Sequence, residues 1–403
     1  MEQFEERFLT ALSCAVRSRN VLPTEPAPPG VHAQMIKLAM DQGVLPLTVQ
    51  AESVAPDAER EQREIWPRRY ARAETIRQAS RTAEFLLLYQ TLAAQDLHPA
   101  VMKGIVCRSL YPQPEQRPSV DEDLLVAQEE LPRYHEALLA YGLEPVNPDV
   151  CLDTADEVAY CDTRRDLHLE LHIRLFDSDA SAYADCNRFF SGVLSRTEEL
   201  PIYDVPIRTL APTDHLLFLL CHAYKHVLHG GVGVRQICDI ALFTERFEKQ
   251  IDWERIRCAC EDLRLELFAA ALFRIGESQF GVPIPDSFAT LQVDELPLLE
   301  DCLTGGLYGA SDRDRQHSST LTLEAVAANR EERKSRGMLY SLFLPANNLE
   351  GRYHYLRRHR WLLPLAWVQR GWGYLWKEKS DPGKTLQIGE RRIALLKQYR
   401  IIS

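Results

Sequence analysis

The chain has no apolar run long enough to span a membrane, no CxxC pair, no internal repeat and no low-complexity tract. Each absence removes a class. The longest apolar stretches, around Phe85–Tyr89 and Leu216–Cys221, are core-sized and fall short of the roughly 20 residues a membrane-spanning helix needs. Ten cysteines lie scattered between Cys14 and Cys302, and Cys258 and Cys260 form only CxC. That pattern points to reduced thiols rather than a disulfide framework or a zinc site. The opening MEQFEERF is acidic where a secretory signal would be basic and then apolar. These features together lead us to expect a cytoplasmic chain.

What is present is ordinary in bulk and uneven in detail. The 403 residues are 45% hydrophobic and 26% charged, the profile of a soluble globular protein of two or three structural units. The net charge of −11 hides an asymmetry, because 15 Lys/Arg face only four acids from Arg333 onward. An acidic body with a basic tail region suggests that different faces meet different partners.

Residues 1–98 read as helical, with apolar spacing in FEERFLTALSCAV and a long helix expected from about Glu59 to Gln95. Pro23, Pro26, Pro28 and Pro29 mark a loop between the first two helices. Residues 99–210 mix helices and strands, the signature of a small α/β or α+β unit. PAVMKG reads as a strand ending at Gly104, IVCRSLY as a helix, DEDLLV as a second strand, and QEELPRYHEALLAYG as a helix ending at Gly142. A hairpin follows, DEVAYCD and LHLELHIRLF joined by TRRD. Its second arm sets Leu167, Leu169, Leu171 and Ile173 on one face and Asp166, His168, Glu170 and His172 on the other. From residue 211 to 403 the chain reads as helical again, starting from TDHLLFLLCHAYKHVLHG with a cap expected at Thr213.

The stretch KGIVCRSLYPQPEQRPSVDEDLLV concentrates the chemistry. Asp121 and Asp123 share a face if they lie on a strand, with Cα atoms roughly 6.5–7 Å apart. Glu170, on the polar face of another strand, would complete a three-carboxylate cluster. Hard oxygen donors of this kind suit Mg²⁺, and paired Mg²⁺ ions serve phosphoryl chemistry. Gly104, at a strand-to-helix turn, would let phosphate approach backbone N–H groups. The bland alternative for the three adjacent acids is a solvated turn.

These motifs, followed by a helix ending in YG and then by LELHIRL, resemble the family described as uncharacterised nucleotidyltransferase, within the superfamily of DNA polymerase β-like enzymes. HAYKH, RQICDIALF and LLPLAWVQR are similar to that family too, so the likeness runs from about residue 85 onward. The resemblance implies an α+β fold with a mixed-sheet nucleotidyltransferase core at 99–210, between a helical region at 1–98 and a helical domain at 211–403. It implies that Asp121, Asp123 and Glu170 hold two Mg²⁺ ions and an NTP, ATP being the expected one, with Glu170 helping to activate the acceptor hydroxyl. Gly104 would shape the phosphate turn, and Lys103 and Arg117 would contact the triphosphate. The acceptor stays open between a peptide (as in peptide natural-product biosynthesis), a protein side chain, a tRNA end and a small metabolite. Two residues depart from the family pattern. Ile105 stands where a Ser or second Gly is usual, and Glu122 replaces an apolar residue and should point toward the buried side. They keep one rival in view, a non-catalytic member that binds nucleotide or peptide; a kinase-like phosphotransferase is a second rival.

Two further features have competing readings. His222 and His226 stand i, i+4 on a helix, a spacing that can bind zinc, but a His–Asp contact with Asp239 between packed helices is the expectation here. The basic, Trp-rich segment at 352–379 reads as a core helix broken at Pro364 with a solvated edge. The alternatives are a weak contact with anionic surfaces or a groove for the acceptor, with Arg357 and Arg358 among its charges.

Overall fold

The computed structural model describes residues 1–17, 27–49, 60–309, 313–331, 359–372 and 381–403. Arg357 and Arg358, and with them much of the basic Trp-rich segment, lie outside the described residues. The fold is α+β, a mixed sheet with helices before and after it.

Among the described residues, four helices come first, α1 (Gln3–Arg17), α2 (Pro29–Asp41), α3 (Leu45–Thr48) and α4 (Arg60–Ala93). α1 is amphipathic and buries Phe8, Leu9, Leu12 and Val16. The sheet region follows as β1 (Ala100–Met102), α5 (Gly104–Arg108), β2 (Glu122–Leu125), α6 (Leu131–Tyr141), β3 (Glu144–Pro145), β4 (Glu157–Asp162), β5 (Leu167–His172), β6 (Thr197–Ile202) and β7 (Val205–Leu210). Among the described residues, the seven strands form one sheet in the order β3-β4-β5-β2-β1-β7-β6. β2 pairs parallel with β5 and antiparallel with β1, and β1 pairs parallel with β7.

Alternation along the strands divides two cores. Val101, Leu124, Leu169 and Leu171 pack with Phe85, Leu88 and Leu92 of α4 and with Tyr134 and Leu138 of α6. Ala100, Met102 and Leu125 point to the opposite face and join the larger core with α7 (Pro212–His229), α8 (Val234–Phe247), α9 (Trp253–Leu263) and α10 (Glu266–Phe280). Phe8, Leu12 and Met35 of the first two helices belong to that same core, so both ends of the chain close over one apolar interior. The expected cap at Thr213 is not formed. α7 begins with Pro212 in its first turn and no side-chain cap, and the Thr213 hydroxyl instead accepts a hydrogen bond from the Asp252 amide at 2.9 Å.

The chain continues through α11 (Asp286–Ala289), α12 (Leu296–Gly305) and α13 (Arg313–Arg330) to the helices Leu363–Trp372 and Pro382–Gln398. A helix leaves its last carbonyls without intrahelical partners and with a partial negative charge. On α7 those carbonyls are met from this later part of the chain. Arg392 donates to Val227 O at 2.6 Å, Thr322 to Leu228 O at 2.5 Å, and Arg315 to Gly230 O. The helix Leu363–Trp372 carries Pro364 in its first turn rather than breaking there. Trp361 beside it is 76% exposed and so does not fill a core. Among the described residues, no helix is long and apolar enough to cross a membrane.

Candidate active site

Strand register assembles the acidic face. Asp123 lies directly beside Glu170 across the parallel β2–β5 pair, and Glu157 lies beside His172 across the antiparallel β4–β5 pair. Side chains two apart on a strand share a face, so Asp123, Glu170, His172 and Glu157 converge on the side of the sheet that α7 covers. Asp121 stands just before β2 on that side, in the field of the others. Burial, the Asp123 charge and the Glu170 charge raise its carboxyl above the ordinary value, against the pull of Lys103.

Ligating atoms of Asp123, Glu170 and His172 lie within 4.8 Å of one another, a spacing that can hold a metal ion. Asp123 is buried, and its Oδ1 is 3.1 Å from Lys103 Nζ and 3.2 Å from His172 Nε2. Burial alone would raise the Asp123 carboxyl, but Lys103 and His172 hold it well below the usual carboxylate range. Burial likewise disfavours a charged His172. Hydrogen bonds to Asp123 and Glu170, with the charges of Asp123 and Glu157, override it and lift the imidazole to about 9. Two internal cations thus sit on the acids of the ion-free protein.

Lys103 is delivered to this point by its backbone. Its φ is +49°, and Gly104 follows at +35°, so the chain turns sharply between β1 and α5. The Lys103 amide donates to His215 Nε2 at 3.3 Å, while His215 Nδ1 lies 3.2 Å from the Thr209 hydroxyl, which itself donates to Val101 O at 2.7 Å. That chain requires a neutral ring with its proton on Nδ1. The Lys103 ammonium also lies 2.9 Å from His222 Nε2, and His226 Nε2 lies 3.0 Å beyond. Burial, then the Lys103 and His226 charges, push the His222 imidazole well below its ordinary pKa, leaving it a neutral acceptor for Lys103.

The sequence-derived site residues thus fall into two groups. Lys103, Asp121, Asp123 and Glu170 are brought together. Arg117 and the Gly104 turn have other partners close by. Arg117 is buried in a two-point ion pair with Asp239 of α8, which also accepts the Tyr111 hydroxyl at 2.8 Å. Asp239 therefore does not meet His222 or His226 as expected. At the turn, the Ile105 amide donates to Glu122 Oε2 at 2.7 Å, and the other Glu122 oxygen takes Arg108. A Cβ on residue 104 would lie 1.9 Å from Glu122 Oε2, so this carboxylate as well as the positive φ demands glycine. Glu122 does point to the buried side, and Arg108 compensates it there. Burial raises its carboxyl and Arg108 only partly offsets that.

Glu157, His215 and His222 are the neighbours that sequence reasoning missed. The i, i+4 spacing placed His222 and His226 on one helix face, but nothing in the spacing says that this face meets Lys103.

The buried histidines set a pH dependence. Burial pushes His215 down to about 3. A histidine with a depressed folded-state pKa contributes stability above its unfolded value of about 6.5, and that contribution is lost as pH falls toward the folded value. His215 alone should therefore cost about 2 kcal/mol between pH 7 and pH 5. The raised His172 works in the other direction, its contribution fading as pH climbs from about 6.5 to 9. With His222 also depressed, urea midpoints should peak a little above pH 6.5, near neutrality, and His215→Gln should make the acid side shallower. An unaltered acid slope in that variant would remove His215 from this account.

A profile of the family described as uncharacterised nucleotidyltransferase matches residues 32–281, and the chain belongs to that family. The match covers the whole sheet and α7 to α10, but not LLPLAWVQR, whose likeness to the family stays outside it. No curated protein and no solved structure matches the chain.

Proposed function

We propose that this chain transfers a nucleoside monophosphate from an NTP, ATP being the expected donor, to a hydroxyl or similar acceptor, with release of pyrophosphate and dependence on divalent ions. The observation that carries the reading is the β2–β5 register, which sets Asp123 against Glu170 with Asp121 and Lys103 alongside. Two oxygen donors and one nitrogen donor within 4.8 Å fit a divalent ion, Mg²⁺ being the one the family resemblance implies. When bound, such ions neutralise charge on the polyphosphate and orient it. The chain's own contributions are positional. Asp121 and Asp123 fix the ion-bearing edge, Glu170 receives the acceptor's hydroxyl proton, and Lys103 offers its ammonium to a phosphate oxygen while His222 keeps it at the site.

The acceptor class stays open between peptide, protein, tRNA end and metabolite. Isothermal titration with each NTP and Mg²⁺, followed by a pyrophosphate-release assay with hydroxyl acceptors, tests the proposal. ADP in place of pyrophosphate would mean phosphoryl transfer. Tight binding with neither product would favour an accessory protein, a second reading supported by the Ile105 amide, which Glu122 already occupies. Glu170→Gln should slow turnover by about 10²-fold with little change in NTP affinity, because proton transfer acts in the transition state. An equal loss in affinity would make Glu170 purely a binding group.

A further inference from the structure

The face that carries the carboxylates also carries an imidazole, and the partners of its two nitrogens bear on which ion fits. His172 Nε2 lies 3.2 Å from Asp123 Oδ1 and 3.5 Å from Glu170 Oε2. Its Nδ1 lies 3.5 Å from Glu157 Oε2, one strand further out. One ring nitrogen therefore faces the acids, and the other has a carboxylate behind it. A histidine that ligates a metal characteristically gives its second nitrogen to such a carboxylate, which fixes the tautomer and the ring orientation.

We infer that His172 ligates a divalent ion through Nε2 together with Asp123 and Glu170, that Glu157 is its positioning residue, and that the site consequently favours a first-row transition ion over Mg²⁺. The inference rests on the reading of this acidic face as a metal site and adds the ion's class to it. Mg²⁺ prefers hard oxygen ligands and gives up water reluctantly. A nitrogen donor shifts the balance toward first-row transition ions, least for Mn²⁺ and more for Fe²⁺ to Zn²⁺, which imidazole suits best. The register supports the assignment, since Glu157 opposite His172 and Glu170 opposite Asp123 make one continuous patch over three adjacent strands. Lys103 supports it as well. With an ion bound, the Lys103 ammonium would leave Asp123 Oδ1 for His222 Nε2 at 2.9 Å, and the Nε2 proton of His172 would pass to solvent.

The experiment uses the full chain, Mn²⁺ as a spin probe and Mg²⁺ as competitor. Pulsed EPR of the Mn²⁺-loaded wild type should show modulation from a directly bound nitrogen, a readout independent of catalysis. His172→Asn should abolish that modulation and weaken Mn²⁺ by at least about tenfold, while Mg²⁺ affinity moves by less than about threefold. Glu157→Gln should cost about tenfold or more in Mn²⁺ affinity, with partial recovery in Glu157→Asp. Glu157 is partly exposed, so its variants report even where His172→Asn does not fold. Bound Mn²⁺ without nitrogen modulation, or an unchanged Mn²⁺/Mg²⁺ ratio in His172→Asn, overturns the inference and leaves an all-oxygen metal site standing. Wild type binding neither ion, or Asp123→Asn binding both normally, brings down the metal reading itself.

Discussion

Asp123→Asn is expected to abolish metal-dependent NTP turnover and also to destabilise the protein, whereas Asp121→Asn should abolish turnover and leave the ion-free protein as stable or more so. Both lose a group on which charge neutralisation depends, worth several kcal/mol in such sites, or about 10³-fold in rate. Stability separates them. Asp123 is buried between Lys103 and His172, and removing one partner of a buried charge cluster typically costs about 3–5 kcal/mol. Burial, with the charges of Asp123 and Glu170, raises the Asp121 carboxyl against the pull of Lys103, so neutralising it relieves the folded state. Urea melts and pyrophosphate release on both variants check the pair of outcomes. A large loss of stability in Asp121→Asn would make that residue a structural turn. Full turnover in either variant would remove it from the site.

The second large effect is expected behind the site, at Arg108 and Glu122. Both side chains are almost wholly buried, and they pair with each other. Glu122→Leu alone, or Arg108→Met alone, should cost about 3–5 kcal/mol, because each strands a buried charge. The double variant should recover to within about 1 kcal/mol of the parent, since an apolar pair can replace a buried ion pair at little cost. Leucine at position 122 would also release the Ile105 amide. If that amide is a phosphate donor, NTP affinity rises in the double variant. An unchanged affinity assigns the amide to the fold alone, and additive losses in stability would mean that the two residues do not act as a pair.

The part of this arrangement readable from sequence is the part written in local pattern. Leu167, Leu169 and Leu171 alternate with His168, Glu170 and His172, and the β4–β5 hairpin is present as that pattern demands. The strand ending at the KG turn and the DEDLLV strand are also found. The β6–β7 hairpin was not legible. Its edge strand TEELPI carries adjacent glutamates and a proline, and its turn places Tyr203 and Asp204 at positive φ with neither glycine nor asparagine to announce it. At the site, the carboxylates could be named because their spacing is local. Glu157 could not, since its place beside His172 depends on strand register. The Arg108–Glu122 pair spans 14 residues and requires knowing that α5 folds back over β2. His222 meets Lys103 across 119 residues, a contact set by how α7 crosses the sheet. Local periodicity does not encode such crossings.

The capping of α7 from the far end of the chain bears on how this protein can vary. The family-matched stretch stops at residue 281, yet the helix that carries His222 has its final carbonyls bound by Arg315, Thr322 and Arg392. The recognisable unit of ancestry is therefore smaller than the unit of architecture. Any relative that exchanged its closing helices for others would need new donors at the same three carbonyls, or would set the Lys103–His222 contact adrift.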